Sequence, residues 1–208
     1  MKGSFLMAGF FASGCFLGWQ LDQWKIGVLG DVAPYVLYIL MFQVGVSIGS
    51  DKKTRAVLAG IRPKLLLVPL ATIAGTLSFS ALAGLVVTKW RIVDCLAIGS
   101  GFGYYSLSSI LIAELREASY GTEAATELGA IALMANMMRE MMALFGAPVF
   151  VKYFGRLAPV CAGGATTMDV TLGVITRYSG KDMAFVAIFH GMLVDMSVPF
   201  LASFFCSL

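Results

Sequence analysis

Residues 161–172 read CAGGATTMDVTL, and the sequence on both sides of them is strongly apolar. Two adjacent glycines, Gly163 and Gly164, favour an unwound segment at this point. A short helix that starts at residues 165–167 would then carry Asp169 in its first turns. An ionisable side chain is costly inside a membrane and usually serves a function there. We therefore expect a broken membrane helix, with Asp169 at a functional site.

The composition indicates an all-α integral membrane protein. Of the 208 residues, 59% are hydrophobic and 13% are charged, and the mean hydropathy is +0.85. Soluble domains carry about 25% charged residues, whereas a membrane span needs about 20 mostly apolar ones. The net charge of +3 is too small to indicate nucleic-acid binding. The four cysteines are scattered and predict neither a disulfide framework nor a metal site.

Hydropathy predicts about seven membrane segments in a single domain with short loops. The loop at residues 50–64 contains five basic residues against Asp51 alone, so the positive-inside rule places it in the cytoplasm. Seven crossings then put the C-terminus outside, and they also put four basic residues outside, against the rule: Lys89, Arg91, Lys152 and Arg156. The sixth segment is too short to cross as a simple helix. The segments are residues 3–19, 32–49, 64–88, 92–113, 127–150, 164–175 and 183–205.

Residues 99–109, GSGFGYYSLSS, place three glycines within five residues of the fourth segment. Small residues of this kind allow helices to pack closely. They also mark breaks, where the freed backbone groups line a cavity. The sequence leaves both interpretations open. In the second, Tyr104 and Ser106 are candidate site residues because both form hydrogen bonds.

Residues 135–142, ANMMREMM, bring charged side chains into the middle of the fifth segment. Arg139 and Glu140 either form a structural pair with a neighbouring helix or belong to a substrate or ion site. Asn136 lies four residues before Glu140 and therefore shares its helical face. These three residues are candidates on the second interpretation.

The last segment contains the single histidine, His190, and Asp195 five residues later. A lone histidine is more often a structural hydrogen-bonding group than a proton relay, so both residues are secondary candidates. If Glu140, Asp169 and Asp195 were ionised against one arginine, the membrane interior would be net negative. Such a site should hold protons or attract cations, as an exchanger requires. No motif for nucleophilic or metal chemistry occurs, so neither an enzyme nor a cofactor is expected.

At these residues the sequence resembles the LysO-type lysine exporters of bacteria. The matching motifs are SGFGYYSLSSIL at 100–111, RE at 139–140, GGATTMDVTL at 163–172 and HGMLVDMSVPFLASF at 190–204. The resemblance implies export of L-lysine across the cytoplasmic (inner) membrane by a multi-pass protein, coupled to a proton or sodium gradient. It also implies an inverted-repeat fold similar to that of cation/proton antiporters, in which two broken helices cross at the midplane.

On that plan, residues 1–63 are the last two helices of the first repeat, and residues 64–208 are the second five-helix repeat. The first segment, with Gly9, Ser13 and Gly14, is then expected to cross the sixth. A typical family member begins with three further spans, so a small three-helix membrane subunit is expected as a partner. Membrane lipid is another expected partner, and association into a homo-oligomer is left open.

The broken helix at residues 164–167 is expected to hold the carboxylate of lysine at its start. Asp169, with Glu140 as second choice, is expected to bind an ammonium group. The alternative function is an ion/proton antiporter or a transporter of another small organic solute. The candidate binding residues are Asp169, Glu140, Arg139, Asn136, Thr166, Thr167, Gly164, Tyr104 and Ser106, with His190 and Asp195 as further candidates.

Overall fold

The computed structural model describes residues 63–208 and, before them, only residues 13 and 16, both helical. The first two predicted segments, and the crossing of the first with the sixth, lie outside the described residues. Residues 63–208 belong to one compact unit and contain helices but no strand, which confirms the all-α class for this part of the chain. The helices are α1 (Pro63–Val86), α2 (Ile92–Gly99), α3 (Tyr105–Tyr120), α4 (Thr122–Phe154), α5 (Ala158–Gly163), a 3-10 helix (Gly164–Met168), α6 (Leu172–Tyr178) and α7 (Met183–Cys206).

Helices α1, α4 and α7 are long and apolar enough to cross a membrane. They contain 24, 33 and 24 residues, so at 1.5 Å per residue they are about 36, 50 and 36 Å long. The hydrocarbon core of a bilayer is about 30 Å thick. Each of the three also exposes a phenylalanine, at Phe79, Phe145 and Phe200. Large apolar side chains on the outside of a bundle suit contact with lipid.

Helices α2 and α3 form a hairpin, hereafter hairpin 1 (residues 92–120). Asp94, near the start of α2, forms an ion pair of 2.6 Å with Arg116, near the end of α3. The ring of Trp90, before α2, packs against the ring of Tyr120 with centroids 5.7 Å apart. The two helices are therefore antiparallel. Since α2 has eight residues and is about 12 Å long, the chain turns back inside the membrane and leaves on the side where it entered.

Helices α5 and α6 form the second hairpin, hereafter hairpin 2 (residues 158–178), with the 3-10 helix at its tip. Nε of Arg156, just before α5, donates a hydrogen bond of 2.5 Å to the carbonyl oxygen of Ser179, just after α6. Val160 on α5 and Ile175 on α6 belong to one apolar cluster. The predicted interruption of the sixth segment is confirmed, and its two halves run in opposite directions.

The two hairpins enter from opposite ends of the bundle. Nη1 of Arg116 in hairpin 1 donates to the carbonyl oxygen of Cys206, the last residue of α7, at 2.9 Å. Val160 and Ile175 in hairpin 2 share their apolar cluster with Met183, the first residue of α7. Because α7 is long enough to cross the membrane, its ends lie on opposite faces, and so do the openings of the hairpins.

The predicted topology of seven crossings is therefore wrong for residues 63–208. Three helices cross, and the fourth and sixth segments turn back. The fourth segment breaks after α2, so of the two interpretations of its glycines the break is confirmed. Hydropathy measures the length of apolar sequence, but it does not distinguish a straight crossing from a reversal at a glycine-rich turn.

The hairpins also change the predicted side of two basic residues. A Cβ built on Gly84, near the end of α1, would lie 2.9 Å from Cα of Ile92 at the start of hairpin 1, so α1 begins at the opposite end, with hairpin 2. Lys152 and Arg156 flank hairpin 2 at that end and do not lie outside, as seven crossings required. The positive-inside rule then assigns Lys152 and Arg156 to the cytoplasm, while Lys89 and Arg91, beside hairpin 1 at the other end, stay outside against the rule. The C-terminus stays on the outer side.

Candidate functional site

The tips of the two hairpins touch each other between the crossing helices. The N–H of Ala165 in hairpin 2 donates a hydrogen bond of 2.9 Å to the carbonyl oxygen of Phe102 in hairpin 1. Gly164 makes this approach possible: its φ is +63°, and a Cβ at this position would lie 2.1 Å from the same oxygen. Phe102 is fully buried and has φ of 46°, which is unusual for a residue with a side chain. Such backbone strain persists only where the surroundings enforce it.

The amide of Asn136, near the middle of α4, bonds the tip of hairpin 1. Its Oδ1 accepts a hydrogen bond of 2.8 Å from the N–H of Gly103. Its Nδ2 lies 3.1 Å from the carbonyl oxygen of Ile98 and 2.9 Å from that of Ala132. Only 4% of Asn136 is exposed, so these backbone groups are its partners in place of water.

Arg139, one helical turn further along α4, bonds the end of α5. Nε donates to the carbonyl oxygen of Ala162 and Nη2 to that of Cys161, both at 3.0 Å. Nη1 donates to Oγ1 of Thr76 on α1 at 3.1 Å. The guanidinium also lies 6.0 Å from the ring centre of Phe102. The polar partners of Arg139 within residues 63–208 are therefore two backbone carbonyls and a hydroxyl, and it forms no ion pair with its neighbour Glu140.

Three carboxylates lie around the meeting point of the tips. Asp169 interacts electrostatically with Glu140 on α4 and with Asp195 on α7. At the start of α3, Tyr104 interacts with Asp169 and Asp195, and Tyr105 interacts with Asp169 and Glu140. In the described part of the chain, no three acidic, histidine or cysteine side chains are close enough to hold a metal ion.

The three acids differ in exposure. Asp169 is exposed, and its Oδ1 accepts a 2.5 Å hydrogen bond from the N–H of Val170. Asp195 is 5% exposed. Oε2 of Glu140 is buried, and no residue from 63 to 208 donates a hydrogen bond to it. Asp169 also follows the last residue of the 3-10 helix, whereas the sequence placed it within the first turns of a helix.

Residues 164–167 are buried rather than open to a ligand. Oγ1 of Thr167 lies 2.8 Å from the carbonyl oxygens of Gly164 and Ala187, and Oγ1 of Thr166 donates to the carbonyl oxygen of Gly163 at 3.0 Å. The N–H of Ala165 is already used by hairpin 1. The turn therefore packs against α7 and does not present the free N–H groups that were expected to bind a carboxylate.

His190 connects hairpin 2 to α1. The residue is fully buried, and its Nδ1 lies 3.2 Å from Oγ1 of Thr167. Its Nε2 lies 2.9 Å from Oγ1 of Thr72, which itself donates to the carbonyl oxygen of Val68. This arrangement fits the structural interpretation of the lone histidine.

Sequence reasoning did not single out the buried pair Asp94 and Arg116, nor Thr76. The pair had a visible signal, because Asp94 interrupts the apolar run RIVDCLAIG at residues 91–99. The threonine had none, since single threonines are common in membrane helices. Its importance depends on which helices meet.

Known proteins place the chain in a family. The family model described as "Lysine exporter LysO" matches residues 8–206. The lysine exporter LysO of Escherichia coli K12 is 31% identical over 178 residues, which are 84% of this chain and 55% of that protein, so the chain spans about half the length of this relative. A putative lysine exporter of Haemophilus influenzae Rd is 32% identical over 200 residues, or 93% of each chain. No solved structure matches. The chain is therefore a multi-pass membrane protein that belongs to the lysine exporter LysO family, a family of transporters and not of enzymes.

Proposed function

We propose that this protein exports L-lysine from the cytoplasm across the inner membrane, in exchange for protons or another cation. The observation that carries the proposal is the meeting of two opposed hairpin tips beside three carboxylates. A lone charge near the centre of a membrane helix costs at least about 2.5–3.5 kcal/mol. A cationic substrate or bound protons would relieve that cost. The names of both relatives support lysine as the cation.

Asp169 is the first candidate to bind an ammonium group, because it is the exposed carboxylate of the three. Glu140 is the second, since its buried oxygen lacks a hydrogen-bond donor within residues 63–208. Asp195 completes the negative region. Separate carboxylates suit a substrate with two ammonium groups several ångströms apart better than they suit a small metal ion.

Tyr104, just before α3, interacts with Asp169 and Asp195. We assign Ser106, exposed in the first turn of α3, to the same region. No side chain caps the start of α3. The first N–H groups of a helix have no partner inside the helix and favour negative charge. Together with the adjacent carboxylates, they would orient the zwitterionic end of lysine. We assign the binding of this end of lysine to the start of α3 rather than to residues 164–167.

Coupling follows from competition for the same carboxylates. A proton that enters from outside would neutralise Asp169 and release the ammonium group there. The site, now protonated and without lysine, would then open to the cytoplasm again and release its proton there. Each cycle moves lysine outward and a proton inward. An ion/proton antiporter is the alternative, since the same acids could bind sodium.

The test is efflux of labelled lysine from proteoliposomes. Asp169→Asn keeps the size of the side chain but removes its charge, so we expect efflux to fall at least about tenfold. Glu123→Gln, at an exposed position in the first turn of α4, is the matched control and should leave efflux unchanged. Normal lysine efflux in Asp169→Asn would refute the assignment. Sodium-driven transport that lysine does not affect would favour the antiporter.

We also propose that the active exporter contains a small membrane subunit of about three helices. Support comes from the E. coli relative, of which this chain matches 55%. Co-purification from the native membrane, followed by reconstitution with and without the subunit, tests this part. Full lysine efflux from this chain alone would exclude the requirement. The same purification would show whether several copies of the chain associate.

A further inference from the structure

We infer that Asn136 and Arg139 are positioning residues that hold the two hairpin tips in place, and that neither binds the substrate. The inference concerns the same site as the proposed function, and its transport readout rests on that function. Two independent sets of contacts support it, one for each hairpin.

The first set concerns the reversal of hairpin 1. A chain that turns back inside a membrane leaves backbone N–H and C=O groups without helical partners, and lipid offers none. Asn136 supplies both kinds of partner. Its Oδ1 accepts from the N–H of Gly103, on one side of the turn, and its Nδ2 reaches the carbonyl oxygen of Ile98, on the other. An amide is suited to this task because it has an acceptor and two donors.

The second set concerns hairpin 2. The last carbonyls of a helix carry partial negative charge and need donors. Arg139 gives two parallel hydrogen bonds of 3.0 Å to successive carbonyl oxygens, those of Cys161 and Ala162. The planar, forked guanidinium suits this geometry, whereas a lysine ammonium does not reproduce it. Its third nitrogen, Nη1, donates a hydrogen bond of 3.1 Å to Oγ1 of Thr76 on α1.

The spacing of the two residues connects these contacts. Positions 136 and 139 are three residues apart on α4, a rise of about 4.5 Å. Asn136 therefore fixes hairpin 1 and Arg139 fixes hairpin 2 at nearly the same depth. The Arg139 guanidinium also lies 6.0 Å from the ring centre of Phe102, the residue whose carbonyl binds the other tip. Helix α4 thus sets the depth at which the tips meet.

A rival role for Arg139 is to bind the carboxylate of lysine directly. The two roles make opposite predictions for cadaverine, the diamine that lacks this carboxylate. If Arg139 binds the carboxylate, Arg139→Gln should raise the KM for lysine and abolish the preference for lysine over cadaverine as a competitor. If Arg139 positions the hairpin, the maximum rate should fall while the KM and that preference persist.

The experiment compares Arg139→Gln, Arg139→Lys and Asn136→Asp with Lys152→Gln, which removes an exposed positive charge from the same helix. We expect the maximum efflux rate to fall at least about tenfold in both Arg139 variants, with KM for lysine within about twofold of normal. Arg139→Lys should not restore function, because an ammonium lacks the planar pair of parallel N–H groups with which the guanidinium bonds both carbonyls. Lys152→Gln should behave as the unchanged protein.

A second measurement does not depend on transport. Hydrogen exchange of the purified proteins, without substrate, should be faster in peptides covering residues 161–168 of both Arg139 variants and residues 98–104 of Asn136→Asp. The milder substitutions keep this test available if Arg139→Gln does not fold. Unchanged exchange at the tips, or a rise in KM with loss of the lysine preference, would overturn the inference. Absence of lysine transport by the unaltered protein, even when it is reconstituted together with the proposed subunit, would refute the proposed function and leave the exchange comparison valid.

Discussion

At the scale of single residues, Gly164 has the most demanding position. Its φ of +63° lies in the left-handed region, and a Cβ would lie 2.1 Å from the carbonyl oxygen of Phe102. Left-handed backbone costs a residue with a side chain about 1–3 kcal/mol. The clash adds to that cost because the obstacle is backbone and cannot rotate away. The contact between the hairpin tips therefore requires glycine at this position.

We predict that Gly164→Ala separates the tips and lowers lysine efflux at least about tenfold, since a strain near 1.4 kcal/mol already shifts an equilibrium by that factor. Gly173→Ala is the matched control, because no atom lies within 4 Å of a Cβ at that position. It should retain normal efflux. The thermal unfolding midpoint of both variants would be measured in parallel. Normal efflux by Gly164→Ala would contradict the proposed tip contact.

At the scale of elements, hairpin 1 is closed at its outer end by buried charges. Arg116 and Asp94 are 2.6 Å apart, with side chains only 3% and 0% exposed. The hydroxyl of Tyr120 donates to Oδ2 of Asp94 at 2.6 Å. Arg116 also donates to the last carbonyls of α7, at Phe205 and Cys206. This cluster joins both legs of the hairpin to a crossing helix.

We predict that Arg116→Leu destabilises the protein by about 3–5 kcal/mol, because it leaves Asp94 buried without its positive partner. Combining Arg116→Gln with Asp94→Asn should be less damaging, since no uncompensated charge remains. Breaking the exposed pair of Lys89 and Glu127 with Lys89→Gln should cost at most about 1 kcal/mol. Unfolding midpoints in detergent would rank the variants. Equal effects of the buried and exposed pairs would disprove the role of the cluster.

At the scale of the whole molecule, residues 63–208 combine three crossing helices with two hairpins that enter from opposite faces. Each hairpin reaches only part of the way across, and the tips meet next to the middle of α4. A substrate would therefore encounter one hairpin from each side. This arrangement offers two barriers around one central region, which suits access from alternate sides of the membrane.

The topology predicts which face exposes each hairpin end. In a variant without the native cysteines, Lys89→Cys and Gly121→Cys should both react with a membrane-impermeant maleimide from the outside. Leu157→Cys and Lys181→Cys should react only from the cytoplasmic side. A topology of seven crossings places positions 89 and 121 on opposite faces, and likewise positions 157 and 181. Labelling of the two positions of either pair on opposite faces would therefore support seven crossings and contradict the hairpin.

Much of the fold could be predicted from residue chemistry alone. Apolar composition identified the membrane class, and the glycines at 163–164 predicted one helix break, whereas those at 99–103 were compatible with either a break or close helix packing. The position of Arg139 inside a span also indicated that it must have partners. These features are local, because a residue's hydrophobicity and backbone freedom do not depend on the rest of the fold.

The direction of the chain after each break was decided only by the tertiary structure. A glycine-rich turn permits either a continued crossing or a reversal, and the choice depends on contacts between distant residues, such as Asp94 with Arg116 or Arg156 with Ser179. The hydrogen-bond partners of Arg139 could not be predicted from the sequence either, because every residue carries a backbone carbonyl that could accept from it. The sequence determined a membrane protein with charged residues inside its spans, one predicted helix break and a second glycine-rich segment that was free to break. Long-range packing determined that the broken helices turn back, meet, and gather three carboxylates at one place.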